Sequence, residues 1–155
     1  MINVNVLFCI DLNFIFGSGA LIVSLLKNNQ DCFFTFYVYT LKSEQDFIKK
    51  HLQARLQKIV FSNFKLEFIE FERIKQFEEL QKRVNKRELM CVARLIAVED
   101  CPIAQNEDRL LYLDADMICM HQGIKDLYTI DLGTKILAAN PIYITKTLKP
   151  FNIYR

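Results

Sequence analysis

Asp114 and Asp116 stand one residue apart directly after the apolar run Leu110-Leu111-Tyr112-Leu113. In extended chain two such side chains point to the same side, roughly 6.5 Å apart along the backbone. Like charges that close repel unless something positive lies near them. Paired aspartate oxygens are the hard donors that Mg²⁺ or Mn²⁺ prefers, so a divalent cation is one reading of the pair. A capped strand end is the plainer one, because aspartate also serves turns and helix starts. Asp11 repeats the pattern near the N-terminus, where it ends the apolar segment Val6-Leu7-Phe8-Cys9-Ile10.

These carboxylates need elements to position them. Asn3 to Ile10 alternates and then becomes wholly apolar, which predicts a buried strand ending at Asp11. Residues 16–19 read as a turn with Ser18 as helix cap, followed by an apolar helix over 20–27. Asn28, Asn29, Gln30 and Asp31 read as a polar link. Cys32 to Thr40 is rich in aromatic and β-branched residues and predicts a second strand. Ser43 with Asp46 resembles a capping box, opening a helix that carries Phe47, Leu52, Leu56 and Ile59. Lys65 to Phe71 alternates as a half-buried third strand. Helices are expected over 72–84 and 87–98, the second with Leu89, Val92, Ala93 and Ile96 on its apolar face. The run before Asp114 reads as a strand buried on both faces. A short helix over 124–128 and a strand over 135–139 follow. Strands alternating with helices predict one α/β domain, a mostly parallel sheet flanked by helices. Ligands in such sheets bind at the carboxyl ends of strands, where both Asp11 and Asp114 fall.

A chain of 155 residues, 52% hydrophobic and 25% charged, can bury a real core. A net charge of +2 gives no general attraction to nucleic acid. The five cysteines show no C-x-x-C spacing, which fits thiols in a reducing compartment. No Lys or Arg precedes the first apolar run and Asp11 interrupts it, unlike a signal peptide. No stretch reaches the ~18 apolar residues of a membrane span. A cytoplasmic protein is expected.

Three motifs in order, FCIDLNF at 8–14, VARL at 92–95 and LLYLDADM at 110–117, resemble glycosyltransferase family 8. That family includes glycogenin-like enzymes and bacterial lipopolysaccharide galactosyl- and glucosyltransferases. The resemblance runs from Asn3 to about Asn140. It implies a GT-A-type, Rossmann-like fold and a retaining hexosyltransferase. The implied donor is a UDP-sugar, the cofactor Mn²⁺ or Mg²⁺, and the acceptor a glycan or lipid-linked glycan. Asp114 and Asp116 match the family's metal- and diphosphate-binding pair. Asp11 and Asn13 match positions that hold the nucleotide, Phe14 an aromatic beside the base, and Cys9 a small strand residue facing it. Arg94 matches an arginine that reaches, with Asp114, toward the donor sugar. The residue chemistry is compatible. Asp11 can accept from a uracil imide or a ribose hydroxyl, Asn13 can donate and accept, and Phe14 can stack or pack in the core. Arg94, one residue off an apolar helical face, also suits an ion pair or a snorkelling side chain.

The pattern departs from the family at its end. The family's later segments supply a metal-binding histidine and further sugar-binding residues, so the chain reads as a single, incomplete nucleotide-sugar-binding domain over 1–155. In a longer form it would lie peripheral to the inner membrane. A non-catalytic binding fragment is the alternative. A haloacid-dehalogenase-like phosphatase fits less well, since Ile118 stands where those enzymes carry Thr or Val. His121 follows the acidic pair, but the resemblance puts the ligand histidine elsewhere, and His51 reads as a solvated residue. Gly17-Ser18-Gly19 has the start of a dinucleotide fingerprint, with Ile22 in place of its third glycine.

Overall fold

The computed structural model describes residues 1–71, 93, 94, 97, 101, 103 and 109–135. The helices expected over 72–84 and 87–98 therefore lie outside the described residues, except that Ala93, Arg94 and Ala97 are helical. The strand expected over 135–139 also lies outside them, apart from Lys135, which is not in a strand.

Four described strands form one sheet: β1 (Ile2–Cys9), β2 (Cys32–Leu41), β3 (Phe64–Phe71) and β4 (Leu111–Tyr112). Their order is β3-β2-β1-β4, and every pairing is parallel. Parallel strands need crossovers, and the sequence supplies them as α1 (Ile15–Asn28) after β1 and α2 (Lys42–Leu56) after β2. A short helix, α3 (Ile124–Tyr128), follows β4.

The near-continuous apolar character of β1 and β2 reflects burial on both faces. On one face Val4, Val6, Phe8, Phe34 and Phe36 meet Leu21, Ile22 and Leu25 of α1 and Ile48 and Leu52 of α2. The rings of Phe34 and Phe36 stack there, 5.4 Å between centroids. On the other face Leu7, Tyr37 and Tyr39 pack with Ala93, Ala97, Cys101 and Ile103. Cys32 and Cys101 are buried free thiols.

Several local expectations are corrected. The first helix begins not after a turn at 16–19 but at Ile15, directly behind a 3-10 turn at Leu12–Phe14. Ser18 is inside that helix and buried, its hydroxyl donating to the Ile15 carbonyl at 3.1 Å. The two glycines misled the reading, since glycine weakens a helix but does not forbid one. Ser43 caps nothing, because β2 runs straight into α2 at Lys42 and the residue in cap position, Leu41, has no capping side chain. The buried stripe of α2 is Glu44, Ile48, Leu52 and Leu56, a strict four-residue repeat. Phe47 lies off it, 53% exposed, with its ring stacked on His51 at 3.8 Å. Finally, β4 is two residues long and only half-buried.

Candidate functional site

β4 pairs with the second half of β1. Leu111 pairs with Val6 and Tyr112 with Leu7, and the Leu113 N–H donates to the Leu7 carbonyl at 3.1 Å. Continuing this register sets Asp114 level with Cys9, the last residue of β1. The chain then leaves the extended conformation. Ala115 and Asp116 form a turn closed by the Met117 N–H donating to the Asp114 carbonyl at 3.2 Å. The two carboxylates therefore do not project from a straight strand, as the sequence predicts, but stand at the first and third positions of a turn. Ala115 between them is buried and packed on the core, so Asp114 and Asp116 are both turned to solvent.

Asp114 has a cationic neighbour. The Arg94 guanidinium lies 3.2 Å from its Oδ1 and 5.2 Å from the centre of the Tyr112 ring. The Tyr112 hydroxyl donates to the same Oδ1 at 3.3 Å. Burial and the neighbouring Cys9 hold the Tyr112 hydroxyl well above the ordinary tyrosine range, against the opposing pull of Arg94. Arg94, Tyr112, Asp114 and Cys9 thus form one group drawn from three segments. Of the readings for Arg94, the ion-pair one is realised, with Asp114 as the partner.

Asp11 is built differently. It is 2% exposed and caps the 3-10 turn, its Oδ1 accepting from the Asn13 N–H at 2.8 Å. Its Oδ2 accepts from Asn13 Nδ2 at 3.4 Å. Asn13 itself is exposed, and Phe14 is half-buried against the core. The turn-residue reading of Asp11 is realised in the structure, with Asn13 held beside the sheet edge by that cap.

Sequence reading missed what mounts the acidic turn. The face of α1 carries it. A Cβ built on Gly17 would lie 2.7 Å from the Ala115 carbonyl oxygen, so helix and turn approach backbone to backbone. The Ser24 hydroxyl accepts from the Cys119 N–H at 2.9 Å, and Asn28 Nδ2 donates to the Cys119 carbonyl at 2.7 Å. Asn29, which is buried, accepts from both the Gly123 and Ile124 N–H groups at 3.2 Å, capping α3 across space. Gly123 enters that cap at a φ of 132°, which favours glycine. From the β1 side, Asn5 Nδ2 donates to the Tyr128 hydroxyl at 3.0 Å, which donates to the Arg109 carbonyl at 2.8 Å. Arg109 in turn donates to the carbonyls of Tyr128 and Ile130. The only signal in the sequence was the pair Asn28-Asn29, which reads equally well as a link.

Among the described residues no group of three or more His, Cys, Asp or Glu side chains converges. His121 is exposed, and its carbonyl accepts from the Cys119 thiol at 3.1 Å. Asp114 and Asp116 are, among the described residues, two neighbouring carboxylates with their side chains open to solvent. Among the described residues no helix is long and apolar enough to cross a membrane.

The sequence model of glycosyl transferase family 8 matches residues 5–152. No curated protein matches the chain. Among solved structures, the crystal structure of galactosyltransferase LgtC in complex with donor and acceptor sugar analogues matches with a TM-score of 0.63 at 21% identity. The match covers 83% of this chain and 43% of that one, so the chain spans less than half the length of that relative. The expected parallel α/β fold of GT-A type is the fold observed.

Proposed function

The chain belongs to glycosyl transferase family 8, and on that premise we propose that it is the nucleotide-sugar-binding part of a retaining hexosyltransferase. The donor is a UDP-sugar and the acceptor a glycan or lipid-linked glycan of the lipopolysaccharide kind. One observation carries the reading. β1 and β4 are adjacent and parallel, so the segments holding Asp11 and Asn13, and Asp114 and Asp116, leave the sheet at the same edge.

The donor set fits a hard divalent ion, Mn²⁺ or Mg²⁺. Two exposed aspartates give oxygen ligands, and the solvent side of the turn leaves room for phosphate and water oxygens. When bound, such an ion would offset the negative charge of a diphosphate leaving group. The chain's own residues do the rest. Asp114 and Asp116 would hold the ion, since carboxylates by themselves repel a diphosphate. Arg94 keeps Asp114 oriented and offers a cation on the sugar side. Asp11, Asn13 and Phe14, with Cys9 at the end of β1, take the nucleoside. The catalytic power of such an arrangement lies in orientation and fixed charge.

Calorimetry of the chain with UDP, GDP, ADP and NAD⁺, each with and without Mn²⁺, tests the reading. UDP is expected to bind most tightly, and only with the metal. Equal signals for all four ligands would sink it. Release of UDP from UDP-hexoses then separates turnover from binding alone.

A further inference from the structure

Helix α1 begins four residues after Asp11 and touches the acidic turn at its own first turn. The contact at Gly17 has no room for a side chain. A Cβ there would sit 2.7 Å from the Ala115 carbonyl oxygen, 3.6 Å from the Ala115 carbonyl carbon and 3.7 Å from the Asp116 Cα. All three are backbone atoms of the turn that separates the two carboxylates, so no side-chain rotation can relieve the clash. Gly19, two residues further along the same helix, is the natural contrast. Its nearest neighbour would be Leu52 Cδ1 at 3.8 Å, an ordinary contact. Of the two glycines in α1, only Gly17 is required by packing.

We propose that α1 is the mount that sets the spacing and direction of Asp114 and Asp116, and that Gly17 is its positioning residue. The inference rests on the donor-site reading of that pair. Ala115 is buried against the helix, so the turn is seated on α1 through its middle residue while its two flanking carboxylates face outward. Three residues after Asp116, Cys119 is tied to the same helix by Ser24 and Asn28. The acidic turn is thus bounded by the β1 ladder before it, at Leu113, and by α1 beneath and after it. A methyl group at Gly17 must push the turn off the helix, because close-packed backbone has little capacity to yield. A cation site tolerates little displacement of its ligands, so the shift reads out as lost affinity.

The test compares Gly17→Ala with Gly19→Ala. Both substitutions raise the intrinsic helix preference of α1 equally, so any difference between them belongs to the contact with Ala115. Two readouts are taken. The first is metal-free: hydrogen exchange at the Met117 amide, which closes the turn onto the Asp114 carbonyl. Its protection is expected to fall about tenfold in Gly17→Ala and to hold in Gly19→Ala. The second is the affinity for Mn²⁺ with UDP, expected to weaken about tenfold or more in Gly17→Ala alone. A Gly17→Ala chain with wild-type Met117 protection overturns the proposal. So does one whose Mn²⁺–UDP affinity matches that of Gly19→Ala. A wild-type chain that ignores Mn²⁺ and UDP sinks the donor-site reading, and Met117 exchange then still decides on Gly17. Should Gly17→Ala not fold, Ser24→Ala removes only the hydroxyl that accepts from Cys119. Lost Met117 protection there supports the mount, and unchanged protection overturns it.

Discussion

Two aspartates end neighbouring parallel strands, and the fold uses them in opposite ways. Asp11 is buried, and both its oxygens are taken by Asn13, its own neighbour in sequence. Asp114 is about half exposed, and its partners Arg94 and Tyr112 are a distant helical residue and a strand residue. A carboxylate satisfied by local N–H groups is a structural cap, whatever else it touches. A carboxylate that keeps solvent access beside a second one, Asp116, leaves oxygens open to a ligand. One surface guanidinium takes up little of that capacity, because exposed ion pairs are weak. Position at a strand end therefore nominates a residue for function, and the hydrogen bonds it already makes decide how much of it remains for a ligand.

The largest expected effect breaks the exposed side of this comparison. Asp116→Asn keeps the turn-forming shape and removes the charge. On the donor-site reading, metal-dependent UDP binding is expected to fall at least about tenfold, since one of the two proposed carboxylate ligands loses its charge. Melting temperature without metal should hold or rise, since a like-charge contact is gone. Melting curves with and without Mn²⁺ and UDP check both halves. A variant that melts lower and binds as before would make the pair a capped strand end after all.

The buried side predicts the reverse balance. Asp11→Ala removes the acceptor for the Asn13 N–H ahead of α1 and should cost about 1 kcal/mol of stability, read by denaturant titration. Asp11→Asn retains a good capping side chain and loses only the charge, so its stability should stay close to wild type. The nucleotide role assigned to Asp11 then has its own readout. UDP affinity that drops in Asp11→Asn at unchanged stability supports that role, and UDP affinity unchanged in both variants leaves Asp11 a cap alone.

How much of this was legible in the sequence depends on the range of the interaction. β1, β2 and β3 declare themselves through apolar and alternating runs, because each strand's burial is written in its own residues. The acidic pair was legible for the same reason, being contiguous. The start of α1 was not, since Gly17 and Gly19 resemble a turn until Ala115 is seen lying against Gly17. Nor was the role of Asn29, whose side chain caps a helix that begins 95 residues later. The expected extended geometry of Asp114 and Asp116 failed because burial of the alanine between them folds the chain into a turn. Long-range seats of this kind leave no periodic trace.

The smallest effect sharpens the comparison at Tyr112, the residue that lies under Asp114. Its hydroxyl is pushed up by burial first, then by Cys9, with Arg94 pulling the other way and Asp114 adding to the rise. The folded chain therefore holds the Tyr112 proton more tightly than the unfolded chain, where a tyrosine loses it near about pH 10. Below that value both states keep the proton and stability does not depend on it. As pH rises past it, the unfolded state releases the proton first, so stability falls. Tyr112→Phe removes this group and should flatten the alkaline loss. The difference is modest, because the site is only half-buried and solvent screens part of it. Melting temperatures of both chains at about pH 8 and about pH 10.5 give the measurement, on either side of the ordinary tyrosine value. The wild type should lose more between them than the variant. Parallel losses would mean that Tyr112 is already open to water, and that the ground beneath Asp114 is as exposed as Asp114 itself.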